Sequence, residues 1–473
     1  MTIAAAQLPL PLLIAGSADP SARSVTSLPA YLRDLDDRNR RLGIDTSLAR
    51  LDELASWRQE PSTGDFRHET GLFFSVTGLR VSAPKGVRQW RQPILNQPEA
   101  GILGVLVKQI DGVLHCLMQA KVEPGNRGGF QIAPTVQATW SNYSRAHNGR
   151  AVPFLEYFTD PLPGSVIADG LQSEQGAWFY RKRNHNVIVE VTGDVPAADG
   201  FSWLTIGQLH RLLAVDDLVS MDARSVLASL PFTGPDTTWP ARPPAGGFAA
   251  ALAASFSPAA GSLHPDAGLA AWLSENQASC TGDSELIPLR EVGDWELRDG
   301  VISHASGQFF DIIGVRVRAR NREVNQWQQP MLRACGTGVV AFLTARLGGV
   351  LHVLTRARWE PGYDNAVQIA PTVQRLMPAA GTDPPLFMRQ VLSARHDQVR
   401  FDTVLPEEGG RFFHTSNRYL IVESEPLAEP PGFRWLTVHQ LSTLVQTTGQ
   451  VNVQARSLLA CLHSLTSTPG GRG

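Results

Sequence analysis

The sequence offers few of the motifs from which chemistry is usually read. Its four cysteines (Cys116, Cys280, Cys335, Cys461) form no CxxC pair and no metal-ligand spacing, and they occupy different contexts in the two halves, so they read as reduced thiols. Twelve histidines are scattered without an HxH or HExxH pair. There is no GxGxxG, no phosphate-binding P-loop and no GxSxG elbow, which disfavours redox cofactors and serine hydrolysis. Charge of either sign is in balance: 42 Lys and Arg stand against 44 Asp and Glu, a net of -2. No general field attracts nucleic acid or an anionic membrane, and any phosphate binding has to be local. Long hydrophobic runs are missing too. The opening MTIAAAQLPLPLLIAG is apolar, but Pro9 and Pro11 break it and no basic residue flanks it. It is too short to span a bilayer and makes a poor signal peptide. A loose arm over residues 1–26 and a cytoplasmic protein are expected.

What is present is a globular composition: 473 residues, 43% apolar and 18% charged, enough for roughly two to four domains with a sizeable core. The chain also repeats itself. Glu123 to Gln137 reads EPGNRGGFQIAPTVQ and Glu360 to Gln374 reads EPGYDNAVQIAPTVQ, so the residue numbers differ by 237 throughout. GLFFSVTGLRV from Gly71 matches GQFFDIIGVRV from Gly307, and Gln89-Trp-Arg-Gln-Pro93 matches Gln326-Trp-Gln-Gln-Pro330. Phe201-Ser-Trp-Leu-Thr205 matches Phe433-Arg-Trp-Leu-Thr437, and Ala223-Arg-Ser225 matches Ala455-Arg-Ser457. Matches on this scale mean a duplicated domain rather than a solenoid of short units.

Local signals give an α+β module. A helix begins with Ser27 as cap and Pro29 in its first turn, burying Leu28, Tyr31, Leu32 and Leu35. A second helix is expected after Thr46, with Leu48, Leu51, Leu54 and Trp57 near one face. Strands follow at Phe73 to Val81, Ile102 to Ile110 and Val113 to Val122. Asp111-Gly112 marks a two-residue hairpin, because that turn needs positive φ at both positions. Trp178-Phe179-Tyr180 and Val187 to Val191 read as further strands. Thr205 with Gln208 forms a capping box, repeated as Thr437 with Gln440. The expected layout is a first module over 27–230, a Pro/Gly/Ala-rich linker over 231–267, a second module over 268–465 and a loose tail over 466–473. A tight turn between strands implies a mixed or antiparallel sheet flanked by helices.

Several side chains invite a functional reading. His115 and His352 sit in apolar strand rows, a pattern met more often in structural histidines. Glu123, Asn126, Arg127, Gln131, Thr135 and Gln137 crowd a Gly- and Pro-containing loop that cannot be a regular helix. The repeated glutamines suit binding, and backbone-satisfying roles suit them as well. Guanidinium groups beside such a loop fit a diphosphate. Trp90, Tyr143, Trp327, Trp359 and Tyr363 could stack on a base or belong to the core.

The runs QAKVEPGNRGGFQIAPTVQATWSNY, LQSEQGAWFYRKRNHNVIVEV and GRFFHTSNRYLIVE resemble the sugar-nucleotide 2,3-dehydratases of deoxysugar biosynthesis, and the similarity extends from about residue 28 to 465. The resemblance implies a homodimer whose subunits each hold two modules like the Nudix hydrolase fold, each with a pocket for a dTDP-sugar. The Nudix box itself, a helix with REx₂EE carboxylates, is absent, which weighs against metal-dependent diphosphate hydrolysis. The implied substrate is dTDP-4-keto-6-deoxy-D-glucose. The ketone acidifies the C3 proton, a base removes it, and the C2 hydroxyl leaves to give a 3,4-diketo-2,6-dideoxy sugar for a downstream 3-ketoreductase. This needs a base, an acid and donors for the enolate oxygen, but no redox cofactor and no metal. Acid/base candidates are Glu123, Tyr180, His185, Glu360, His414 and Tyr419. Diphosphate candidates are Arg127, Arg183, Arg358 and Arg418. Trp90, Gln131, Thr135, Gln137, Tyr143, Asn184, Trp327, Tyr363, Gln368, Thr372, Gln374 and Asn417 are candidates for holding nucleotide or sugar. A nucleotide-sugar diphosphate hydrolase and a non-catalytic dTDP-sugar-binding protein remain as alternatives.

Overall fold

Two seven-stranded mixed sheets of the same topology carry the duplication. The computed structural model describes residues 8–82, 89–139, 151–232, 246–320, 324–364, 367–376 and 384–467. In the first large sheet Gly101–Ile110 and Val113–Lys121 form the expected hairpin, with φ of 50° at Asp111 and 81° at Gly112. Phe201–Thr205 pairs with the second of these strands, and Arg183–Glu190 runs parallel to the first. Val166–Ser173 closes that edge. The second sheet repeats the order with Gly338–Leu347, Val350–Trp359, Phe433–Thr437, Ser416–Glu423 and Val399–Pro406. Both capping boxes are present, at Thr205 with Gln208 and at Thr437 with Gln440.

The helix Leu28–Leu42 starts after Ser27 and buries Tyr31 and Leu35, while Leu32 is exposed. The helix expected after Thr46 is instead the strand Ile44–Ala49, paired antiparallel with Phe310–Ala319 of the second half. The exchange is reciprocal: Asp283–Ile287 pairs with Ser75–Ser82 of the first half. Tertiary pairing overrides the local apolar spacing here, and only Leu51, Leu54 and Trp57 of that expected face are buried. The two smaller sheets therefore each contain a strand from the other half.

The described parts of the expected arm and linker are also built into the fold. Leu10–Ala18 is a helix that buries Leu13 and Ile14, and Gly247–Ser255 is a helix that buries Ala251 and Leu252. Ser17 Oγ donates to Leu114 O and accepts from Ile206 N–H at 2.9 Å. Ser255 makes the same pair of contacts with Leu351 O and Val438 N–H. These helices are a further repeated element, hidden from the sequence because only one serine contact survives as a recognisable match. The strand histidines pin the chain that follows each helix. His115 Nδ1 donates to Val113 O and Nε2 accepts from Val25 N–H, while His352 does the same with Val350 O and Leu263 N–H. Both are structural, and burial holds both below the usual histidine range.

The helices Met221–Leu227 and Val453–Ser464 pack together inside one core that draws on both halves. Between them lie two fully buried arginines that reach across reciprocally. Arg224 donates to Pro406 O and Ser457 Oγ, and Arg456 donates to Ser173 O and Ser225 Oγ. Burying a guanidinium is tolerated only when its donors are satisfied, and here carbonyl and hydroxyl oxygens of both halves do so. No helix among the described residues is long and apolar enough to cross a membrane.

Candidate functional site

A cavity of about 370 Å³ lies against the first large sheet, within the range of small-molecule sites. One end is aromatic: Trp57, Phe73, Phe74 and Trp327, with His68 beside them. The other end is charged. Lys121 closes the strand Val113–Lys121 and Glu123 opens the EPG loop behind it. Glu174 and Lys182 flank the short strand Phe179–Tyr180, and Asp222 stands in the first turn of Met221–Leu227. Glu408, Gly410 and Arg411 come from the second half, as does Trp327 on Gln326–Ala334. The site is thus assembled from both halves of the chain.

The two EPG loops explain how. Gly125 N–H donates to Gly409 O at 2.7 Å, and His414 N–H donates back to Gly125 O at 2.9 Å. In the mirror contact, Gly362 N–H donates to Gly176 O and Arg181 N–H to Gly362 O. A side chain at Gly125 would collide with Phe412 O, and one at Gly362 with Phe179 O. Only glycine permits this approach, which is why EPG recurs in both halves. Each loop thereby clasps the acidic segment of the opposite half.

The charged end contains four carboxyl groups and three cations in a mostly buried space. Lys121 Nζ lies 3.0 Å from Glu123 Oε1. Burial raises the Glu174 carboxyl, against the pull of Arg456 and of the Asn184 amide at 2.7 Å. Its Oε2 is buried and hydrogen-bonds to no described residue. Burial lifts Asp222 well above the carboxylate range, and Glu408, Glu174 and Glu123 add to the effect. Burial pushes Glu408 up to about 7; Arg411 opposes that shift, and Glu123 and Glu174 reinforce it. Burial lowers the Lys182 ammonium, whose Nζ donates to Glu99 O at 2.6 Å. Arg411 lies over the Phe74 ring at 4.2 Å, and its buried Nε hydrogen-bonds to no described residue. A carboxyl group raised to about 7, with two more raised by burial, beside one paired with an ammonium forms the kind of split that acid/base catalysis needs.

The equivalent place in the second half has been neutralised. Glu408 faces Gln175 in the duplicated register, Asp222 faces Gln454, Lys182 faces Thr415 and Arg411 faces Trp178. What charge remains there is consumed internally. Glu360 Oε1 accepts from Arg358 Nε at 2.9 Å and from Gln374 Nε2 at 2.8 Å, and Asn452 donates to Gln374. Tyr363, in the position of Asn126, is buried against Gly176.

Of the residues singled out from sequence, the cavity takes Glu123, Gln137, Asn184 and Trp327. The others lie elsewhere. Tyr419 is fully buried in the core, 5.4 Å from the Arg224 guanidinium, and does not line the cavity. His185 is exposed and paired with Asp169 at 3.0 Å. His414 is exposed, stacked on Phe413, and its carbonyl accepts from Arg127 Nε. Tyr180 packs with Trp90 and Trp359, away from the charged end. Glu360, Arg358, Tyr363 and Gln374 belong to the neutralised copy. Arg183 and Arg418 are paired with Asp364 and Asp402, at 3.1 and 2.6 Å, so neither carries an unbalanced charge for a diphosphate.

Thr135 and Thr372 are corrected to scaffold. Each hydroxyl donates to a strand carbonyl, Leu117 O or Leu354 O, and accepts a neighbouring N–H at 2.9 Å. Gln131 and Gln368 are buried, and Gln368 donates to Ser173 Oγ. Asn417 repeats the Asn184 pattern, accepting from Gly338 N–H and donating to Glu407. Tyr143 falls outside the described residues. Missed from sequence were His68, Lys121, Glu174, Asp222, Glu408 and Arg411 as a group. The signal that finds them is the contrast between copies, but it needs the register across 150–220, where the offset between halves changes.

Comparison with known proteins adds an independent line. The NDP-hexose 2,3-dehydratase family profile matches residues 30–230 and 266–462. A dTDP-4-dehydro-6-deoxy-alpha-D-glucopyranose 2,3-dehydratase of Saccharopolyspora spinosa is 45% identical over 443 residues, covering 91% of this chain and 90% of the relative. Proteins of the same description from Streptomyces violaceoruber and Amycolatopsis orientalis are 44% and 40% identical, covering 88% and 89% of this chain and 92% and 86% of those relatives. With both halves matched and the length shared almost end to end, the chain belongs to the NDP-hexose 2,3-dehydratase family.

Proposed function

We propose that the protein removes the C2 hydroxyl of dTDP-4-dehydro-6-deoxy-glucose, and that the elimination takes place at the charged end of the first-half cavity. One observation carries the placement: four charged side chains present there are replaced by uncharged ones in the duplicated copy. Scaffold contacts are kept in both copies, so the charges found in one copy alone point to the place where chemistry occurs.

Glu123 takes the C3 proton, which the C4 ketone acidifies. Lys121, 3.0 Å from its carboxylate, holds it in place. Arg411 Nε and the Lys182 ammonium supply donors for the C4 oxygen as it gains enolate charge, in a buried site where such donors act most strongly. The hydroxyl at C2, β to the ketone, then leaves as water, and the enol relaxes to the 3,4-diketone. The aromatic end offers ring faces for the thymine and sugar. Protons alone are moved, so the balance closes without a redox partner.

The reading extends to a cytoplasmic homodimer, and to two Nudix-like modules as the description of the repeated sheet-and-helix unit; the family resemblance supports both. The 3,4-diketone is electrophilic and short-lived, which calls for a 3-ketoreductase to consume it. Incubation with dTDP-4-dehydro-6-deoxy-glucose, a 3-ketoreductase and NADPH tests the function. A 2,6-dideoxy sugar is the expected product. Retained binding of the substrate without any 2-deoxy product would sink the reading and favour a binding protein. Magnesium-dependent release of dTMP would favour a hydrolase.

A further inference from the structure

We propose that Glu408, delivered from the second half of the chain, is the general acid that protonates the departing C2 hydroxyl, on the same face of the sugar ring as Glu123. The inference rests on the dehydratase reading above. In the gluco configuration the C2 hydroxyl and the C3 hydrogen project from one face of the ring. Base and acid must therefore stand side by side rather than across the ring from each other.

Glu123 and Glu408 stand this way at Gly410. A methyl group on Gly410 would come within 2.6 Å of Glu123 Oε2 and would collide with Glu408 Oε1. The two carboxyl groups thus converge on one backbone atom in the cavity wall. Their surroundings differ. Glu123 has the Lys121 ammonium at 3.0 Å, whereas Glu408 Oε1 accepts the Gly410 N–H at 2.8 Å. Around Glu408 are Arg411 on its own segment, Glu123 from the EPG loop, Glu174 and Lys182 from the opposite segment and Asp222 from the helix. Burial, with three acidic neighbours set against the Arg411 guanidinium and the Lys182 ammonium, keeps a proton on Glu408 up to about 7.

The duplicated copy supplies an internal control. There Gln175 replaces Glu408 and Ala177 replaces Gly410. The Gln175 amide is fully buried and donates to Glu407 Oε2 at 2.6 Å, so this fold accepts glutamine at the position. Glycine and acid have changed together, as expected if Gly410 makes room for two carboxyl groups at once.

The step balances. Glu123 takes the C3 hydrogen as a proton, the C3–H electrons form the enolate and then the C2–C3 double bond, and the C2–O bond breaks. Glu408 gives its proton to the leaving oxygen, which departs as water. As the enol ketonises, its C3 hydroxyl proton passes to the Glu408 carboxylate and Glu123 gives the proton it took to C2, so both carboxyl groups return to their starting states.

A substrate whose leaving group needs no proton separates the roles. With dTDP-4-dehydro-2,6-dideoxy-2-fluoroglucose, fluoride departs unaided. Glu408→Gln is expected to lower kcat on the hydroxyl substrate by about 10²–10⁴-fold but fluoride release by less than about tenfold. Glu123→Gln is expected to lower both. Glu408→Asp, which keeps an acid, is expected to recover part of the activity on the hydroxyl substrate. Equal losses on the two substrates in Glu408→Gln, or no loss on either, would overturn the assignment. Absence of any 2-deoxy product from the wild-type protein would instead overturn the dehydratase reading itself.

Discussion

The two copies of the site keep the same frame and differ in what the frame holds. In both, an EPG loop clasps the other half, a threonine ties two strands, and an asparagine links a glycine N–H to a buried glutamate. In the first copy the space inside holds Lys182, Asp222, Glu408 and Arg411; in the second, Thr415, Gln454, Gln175 and Trp178. The comparison separates scaffold from chemistry without an alignment of relatives. Most residues identical across the copies make the same scaffold contacts in both, and residues that lost charge mark where the two cavities differ; Glu123 is the exception, since its counterpart Glu360 is tied up by Arg358 and Gln374.

That comparison can be broken most sharply at the shared glutamate. Glu123→Gln is expected to reduce turnover by about 10²–10⁴-fold, the usual worth of a positioned base. Glu360→Gln is expected to leave turnover near the parent value and to lower stability by about 1–3 kcal/mol, because it disturbs a buried network with Arg358 and Gln374. Steady-state kinetics and denaturant melts of the two variants check the contrast, and comparable catalytic losses would undo it. Gly410→Ala comes next. Its methyl group pushes the two carboxyl groups apart, and a displacement of about 1 Å can lower turnover about 10²-fold. The reverse change in the other copy, Ala177→Gly, should leave kcat unaltered.

A smaller effect is the pH limb set by Glu408. As a proton donor it works below its raised value, so kcat/KM is expected to fall as pH rises through about 7. Glu408→Gln should lack that limb. The sign is the same for stability: between the ordinary 4.5 and about 7 the folded state holds a proton that the unfolded state has lost, so this group's contribution declines as pH rises through that window. The smallest contrast is expected between Thr135→Val and Thr372→Val. Each removes the same two hydrogen bonds, so both should lower stability by about 1–3 kcal/mol to a similar extent. A large catalytic effect of one alone would return that threonine to the substrate site.

Much of the fold was legible in the sequence, and the reasons are local. Asp111-Gly112 and the two capping boxes use a few adjacent residues whose geometry permits little else. The strand Ile44–Ala49 and the helices Leu10–Ala18 and Gly247–Ser255 were not legible, because their partners lie far along the chain and their apolar spacing fits several states. In the site, Glu123 stood out through its repeated loop. Asp222 and Glu408 did not, since a lone acid in a helix or a glycine turn looks like a solvated surface group. Only the crossing of Glu407–Phe412 into the first-half cavity gives Glu408 its neighbours, and no local pattern encodes that crossing.

The crossing also sets when the molecule becomes competent. Glu408 follows Glu123 by 285 residues, a delay of about 15–60 s at ordinary ribosomal rates. The strand Ile44–Ala49 waits similarly for Phe310–Ala319, leaving an unpaired edge on the growing chain. A nascent first half carries Glu123, the loop and most of the cavity, yet it lacks Glu408 and part of its own sheet. Reactive diketone production is thereby deferred until the second half of the chain has been made.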